Sequence, residues 1–159
     1  MISKIERGEA QPTTPVVARL AEALKVGISA LVGGYPGERA GKPGDSLIVR
    51  AAQQPAYQDP ETGFIRRSIS PPRRGRGVDI ACNELPPMGR SGLFVAHDED
   101  VEEHVIVTRG RLRVLLDGKP HLLDEGDVLW FRAGVSHQFE NRGRGRCEYI
   151  IVIDRHHHT

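Results

Sequence analysis

Two hydrophobic periods divide the chain. Val16, Val17, Leu20, Ala21 and Leu24 recur at helical spacing, and residues 28–32 suit a further short helix. Thr14-Pro15 reads as the start of the first of these, with Thr as N-cap and Pro at the first helical position. A helical pair this small cannot bury its apolar face unaided. From Ser46 the pattern changes to short strand-like runs at 47–50, 64–65, 78–85, 93–96, 105–107, 111–116, 121–123, 128–131 and 148–153. Asp117-Gly118 between two apolar runs is a strong hairpin signal. A second turn falls at 124–127. Strands at this spacing, separated by Gly and Pro turns, predict a sandwich or barrel. The expected organisation is a helical segment over 1–33, a Gly- and Pro-rich linker over 34–45, a β-barrel over 46–154 and a tail over 155–159.

Length and charge narrow the class. The 159 residues suit one domain, or one plus a fragment. A net charge of +1 gives no global drive toward nucleic acid or membrane. No apolar run reaches the roughly 18 residues of a spanning helix, and the polar start does not resemble a signal peptide. The expected location is therefore the cytoplasm. Cys82 and Cys147 stand in strand-like contexts without metal-type spacing. They read as buried thiols in a reducing compartment, with a disulfide left open.

The candidate chemistry lies around the hairpins. His97, Glu99 and Glu103 precede them and His137 follows. Imidazole and carboxylate together suit one divalent ion such as Zn, Mn, Fe or Ni, provided that the sheet closes on itself and brings the groups together. The competing reading is a solvated acidic run over 97–103. His104 is excluded as a ligand because neighbours in a strand face opposite ways. Among Trp130, Phe131 and Phe139, alternation puts some inside the barrel, either as core or as a pocket lining. Trp130 and Phe139 are taken as ligand-binding candidates. Arg66, Arg67, Arg73, Arg74 and Arg76, with Arg142, Arg144 and Arg146, suit an anionic effector or phosphates. A solvated loop paired to nearby acids is the alternative, and no aromatics interleave to suggest base stacking. The His-rich end, 155–159, reads as a tail. No nucleophile elbow, P-loop or dinucleotide fingerprint is present, and Ser136 beside His137 lacks a third group to complete a triad.

Two family resemblances rest on these residues. Gly126, Arg132, Gly134, His137 and Asn141 fall at the spacing of the second cupin motif, with Arg132 where the family usually carries proline. Counted back from Gly110, Glu103 lands on the cupin ligand glutamate and His97 on the first of its paired histidines. Glu99 replaces the second. The resemblance spans roughly residues 90 to 153 and implies a mainly β fold: a double-stranded β-helix, or jelly-roll barrel, preceded by a short helical segment. The words ISKIERGE (2–9), QPT (11–13) and LAEALKV (20–26) resemble the second half of an Xre-type helix-turn-helix.

That likeness starts inside the recognition helix, so Lys4 and Arg7 are expected to touch DNA phosphates rather than bases. A start assigned too late or a shortened chain accounts for this. A decayed domain kept for packing or dimerisation is the alternative. Together the resemblances imply a DNA-binding transcriptional regulator, usually a homodimer, whose cupin barrel senses a small-molecule effector. The expectation is that the present chain binds DNA weakly and without sequence preference. The runner-up is a metal-dependent cupin enzyme, a dioxygenase or isomerase. A stand-alone dimerising barrel is a third reading.

Overall fold

In the computed structural model, residues 2–32, 46, 48–70, 77–97 and 100–155 are described. Three short helices come first: α1 (Ile2–Glu6), α2 (Thr14–Ala23) and α3 (Ile28–Val32). Among the described residues, no helix is long and apolar enough to cross a membrane. Ten strands follow: β1 (Ala56–Gln58), β2 (Ile65–Ser68), β3 (Gly77–Leu85), β4 (Arg90–Phe94), β5 (Val101–Arg109), β6 (Leu112–Leu116), β7 (Lys119–Leu123), β8 (Val128–Arg132), β9 (His137–Glu140) and β10 (Cys147–Arg155).

The strands form two antiparallel sheets. One runs β1-β2-β3-β10-β5-β8 and the other β4-β9-β6-β7. Chain neighbours such as β4 and β5 therefore lie in different sheets, as a jelly roll requires. Alternation sets the inner faces. Val101, Glu103, Val105 and Val107 of β5 point inward, as do Cys147, Tyr149, Ile151 and Ile153 of β10. Facing them across the interior are Phe94, Leu112, Val114 and Phe139 from the second sheet. Burying each such side chain stabilises the fold by roughly 1.5–3 kcal/mol.

The predicted hairpin forms at Asp117-Gly118, where both residues have positive φ, +46° and +77°. That is the type I′ conformation, whose twist matches the flanking strands. Ser136 donates to the Asp117 carboxylate from both its N–H and its hydroxyl, tying this turn to the loop before β9. Asn141 is fully buried just after β9. Its amide donates to the carbonyls of Leu85, Pro86 and Gly145, and its Oδ1 accepts from the Gly143 N–H. The motif asparagine is thus a structural clamp.

Two local expectations need correction. The strand expected at 47–50 does not form over the described residues: Ile48–Arg50 carry no strand, and Ile48 is 71% exposed. The edge position of the sheet is taken instead by β1, which pairs with β2. The helix start also shifts by one residue. Thr13 is the N-cap of α2, without a side-chain cap bond. The Thr14 N–H and hydroxyl instead both donate to Asp59, at 2.6 Å each. The linker at 34–45 lies outside the described residues.

The helices pack directly on the barrel. Val17, Ala18, Ala21 and Ile28 belong to the same buried cluster as the barrel core. Gly92 in β4 makes the close approach feasible: its φ is +85°, and a Cβ there would sit 2.8 Å from the Pro15 ring of α2. The Tyr57 hydroxyl donates to the Pro12 carbonyl, and the Ser29 hydroxyl donates to Asp79.

Candidate functional site

The inner face of β5 carries three valines and one carboxylate. Glu103 is 1% exposed, and its inward direction is fixed by the same alternation that buries Val101 and Val105. His137 opens β9 in the opposite sheet and is 2% exposed. His97 follows β4, with a side chain 8% exposed. Closing the barrel brings the three together. His97 Nε2 lies 3.3 Å from Glu103 Oε1, and His137 Nε2 lies 3.6 Å from the same oxygen. Ligand atoms of the three all fall within 4.8 Å of one another.

The hydrogen bonds around the imidazoles set their orientation. His137 Nδ1 faces the Val135 carbonyl at 3.1 Å, and a carbonyl only accepts, so Nδ1 carries the proton. His97 Nδ1 lies 3.1 Å from the Glu22 carboxylate of α2, which likewise fixes a proton on that nitrogen. Both rings therefore turn Nε2 toward Glu103. Glu103 Oε2 has no hydrogen-bond partner among the described residues, although it is buried. Two oriented imidazoles and a carboxylate with a spare buried oxygen fit a first-row divalent ion. Donors about 2.1 Å from a shared tetrahedral ion lie about 3.4 Å apart, close to the separations found here. Phe94 stacks on His137 at a centroid distance of 5.3 Å, and Phe131 and Phe139 meet its edge. These rings hold the imidazole in place and keep the site apolar around its ligands.

The charges on the free triad are coupled. Burial disfavours a charged His97, but Glu103 and Glu22 outweigh it and raise its pKa. Burial would likewise push the Glu103 carboxyl up, yet His137, His97 and Arg66 hold it below its ordinary value. Arg66 belongs to the same interior. It is 3% exposed, lines the cavity with Asn83, and donates to Asp79 at 3.2 Å. Its Nε has no partner among the described residues.

The sequence candidates separate accordingly. His97, Glu103 and His137 converge, and Phe139 lines the cavity beside them. Glu99 lies outside the described residues. Trp130 requires a correction: it is 51% exposed on the outer face, where its indole N–H donates to Glu102. In the β5–β8 register Glu103 faces Phe131, so Trp130 falls beside the outward His104. Phe131 is the interior residue. Arg66 also departs from the solvated-loop reading. Arg142 and Arg146 follow it, being exposed and paired with Glu140 and Glu84. Arg155, expected to begin the tail, ends β10, and Arg73, Arg74, Arg76 and residues 156–159 lie outside the described residues. Lys4 and Arg7 sit on exposed positions of the helical segment, with Arg7 bonded to Glu9 at 2.7 Å. Sequence reasoning missed Arg66 and Asn83 as parts of the interior and Glu22 as the partner of His97. Only the alternation of Phe64, Arg66 and Ser68 carried a usable signal, since all three are buried.

Comparison with known proteins agrees with both halves. Residues 83–153 match the cupin domain family, and residues 1–31 match the helix-turn-helix family. The chain is 29% identical to the HTH-type transcriptional regulator SutR of Escherichia coli K12, over 96% of this chain and 78% of that protein. An HTH_3 family transcriptional regulator from Vibrio cholerae superposes with a TM-score of 0.74 at 18% identity, covering 99% of this chain and 80% of its own. The cupin domain of an XRE family transcriptional regulator from Enterobacter cloacae gives a TM-score of 0.55 at 20% identity, over 59% and 98% of the two chains. At these identities the two structures establish the fold, a cupin barrel behind a helical segment.

Proposed function

We propose that this chain, a transcriptional regulator that joins a helix-turn-helix segment to a C-terminal cupin domain, senses a small molecule through a divalent ion held by His97, Glu103 and His137. The carrying observation is the orientation of that triad. Both imidazoles spend Nδ1 on outer partners and aim Nε2 at a buried carboxylate with a spare oxygen. Bound there, the ion would supply a Lewis-acidic point for an oxygen or nitrogen of the effector. The protein's own part is to orient the ligands, exclude water with Phe94 and Phe139, and neutralise charge.

DNA is the partner of the helical half. Lys4 and Arg7 would contribute phosphate contacts, and the exposed Arg7–Glu9 pair is of the weak kind that a phosphate can replace. The chain works as a cytoplasmic homodimer in this reading, with two helical segments meeting half-sites about one DNA turn apart.

Capture of genomic fragments by the purified protein, followed by sequencing, tests the regulator reading. The chain is expected to capture fragments weakly and without a shared site, because Lys4 and Arg7 supply phosphate contacts and no base contact. Replacing Lys4 and Arg7 with alanine should weaken capture of all fragments alike and lower the salt slope by about one per residue. Capture insensitive to salt and to both substitutions would count against DNA as the partner of the helical half, and tight operator-specific capture would overturn the reading of Lys4 and Arg7 as phosphate contacts alone.

A further inference from the structure

The helical segment lies against the interior of the barrel and supplies part of its wall. Ile28 of α3 is 6% exposed and lines the same cavity as His97, Glu103, His137 and Phe139. Ser29 beside it donates to Asp79, whose other oxygen takes the Arg66 guanidinium. Two turns of chain earlier, Glu22 of α2 reaches across to His97 Nδ1. Its second oxygen faces Lys25 at 3.7 Å, on the exposed side. The segment therefore touches the interior at three points: an apolar plug, a polar contact leading to Arg66, and a carboxylate on a triad histidine.

The last of these has a specific consequence. A histidine that binds a metal through one nitrogen commonly donates the other N–H to a carboxylate, which fixes the ring and strengthens the ligand. His137 takes such a partner from its own loop, the Val135 carbonyl. His97 takes it from another module, 75 residues away in sequence. We infer that Glu22 is a positioning residue for His97 across the module boundary, so that loading the barrel site with a divalent ion tightens the docking of α2 and α3 on the barrel. The coupling is reciprocal: whatever the ion adds to docking, docking adds to ion affinity. A change at the site would in this way reach the helical half through one hydrogen bond and the plug beside it, with no large rearrangement of the sheets.

This inference rests on the metal reading above, and its test keeps the two apart. The full chain is titrated with Zn(II), Ni(II) and Mn(II) while binding and amide hydrogen exchange are followed together. In the wild type, ion binding should slow exchange across residues 14–32. Glu22→Ala should weaken binding by about 10–100-fold, the usual effect of losing such a carboxylate, and should abolish the ion-dependent protection. Glu22 is partly exposed, so the variant is expected to fold. Glu22→Gln keeps an acceptor for the Nδ1 proton and should retain the protection at reduced affinity. Binding to the wild type with no change in exchange over 14–32 overturns the coupling and leaves the metal reading standing. The coupling is overturned in the same way if both variants behave as the wild type. Failure of all three ions to bind the wild type overturns the metal reading, and the coupling with it.

Discussion

Cys147 shows how the barrel's alternation controls reactivity. It lies on the inner face of β10 with no exposure, and burial pushes its thiol up to about 11. At pH 8 only about one thiol in a thousand is then ionised, and the thiolate is the reactive form. Cys82, in the neighbouring strand, is half-buried and has an outward phase. Iodoacetamide on the native protein is therefore expected to add one label, at Cys82, and a second only after unfolding. Equal labelling rates at the two positions, read by peptide mass, would contradict the placement of β10. The same alternation made Glu103 and His137 readable in advance, because each also sits at a fixed distance from a turn glycine. It could have assigned Trp130 correctly, since a residue next to an inward Phe131 must point out. Glu22 had no such mark. Its neighbours describe an amphipathic helix, and nothing local indicates which barrel group the helix will meet.

Among the elements, α2 depends most on a partner outside itself. Its first turn lacks a side-chain cap from Thr13, and Asp59 substitutes from the loop between β1 and β2. That carboxylate also accepts the N–H groups of Glu61 and Thr62 through its other oxygen. Burial opposes its charge, but these four donors outweigh it and hold its pKa below the ordinary value. A carboxyl whose folded pKa is lowered adds stability above the unfolded pKa, near 4, and that stability disappears as pH falls through the folded value. Asp59→Ala is expected to cost about 1–3 kcal/mol at neutral pH, because it leaves buried donors unpaired. The gap between wild type and Asp59→Asn in urea unfolding should shrink steadily as pH is lowered below about 4. A gap independent of pH would show that the Asp59 charge does not hold the helix. Helices α2 and α3 were legible from periodicity, and the β6–β7 hairpin from Asp117-Gly118. The missing strand at 48–50 and the short β1 were not. Strand formation depends on which sheet edges remain open, and the local sequence does not record that.

At the scale of the molecule, the two halves were both legible as wording, but their contact was not. Separate motifs suggest beads on a linker, whereas the structure seats the helices against the barrel through Pro15 on Gly92, Ser29 on Asp79 and Glu22 on His97. These contacts join residues 50 to 77 positions apart, so no local window contains both partners. They place the helical half next to the one constellation among the described residues able to hold a metal ion. A regulator needs such adjacency if an event inside the barrel is to change what the helices do.

The central claim, that His97, Glu103 and His137 form a metal centre within this regulator, is tested most directly by metal stoichiometry and affinity. Metal-stripped protein is titrated with Zn(II), Ni(II) and Mn(II) against a competing chelator, alongside Glu103→Gln and His137→Ala. One ion per chain is expected in the wild type, with binding weakened at least about 100-fold in each variant, since each loses a direct ligand. Absence of binding in the wild type, or binding that neither substitution weakens, would contradict the account.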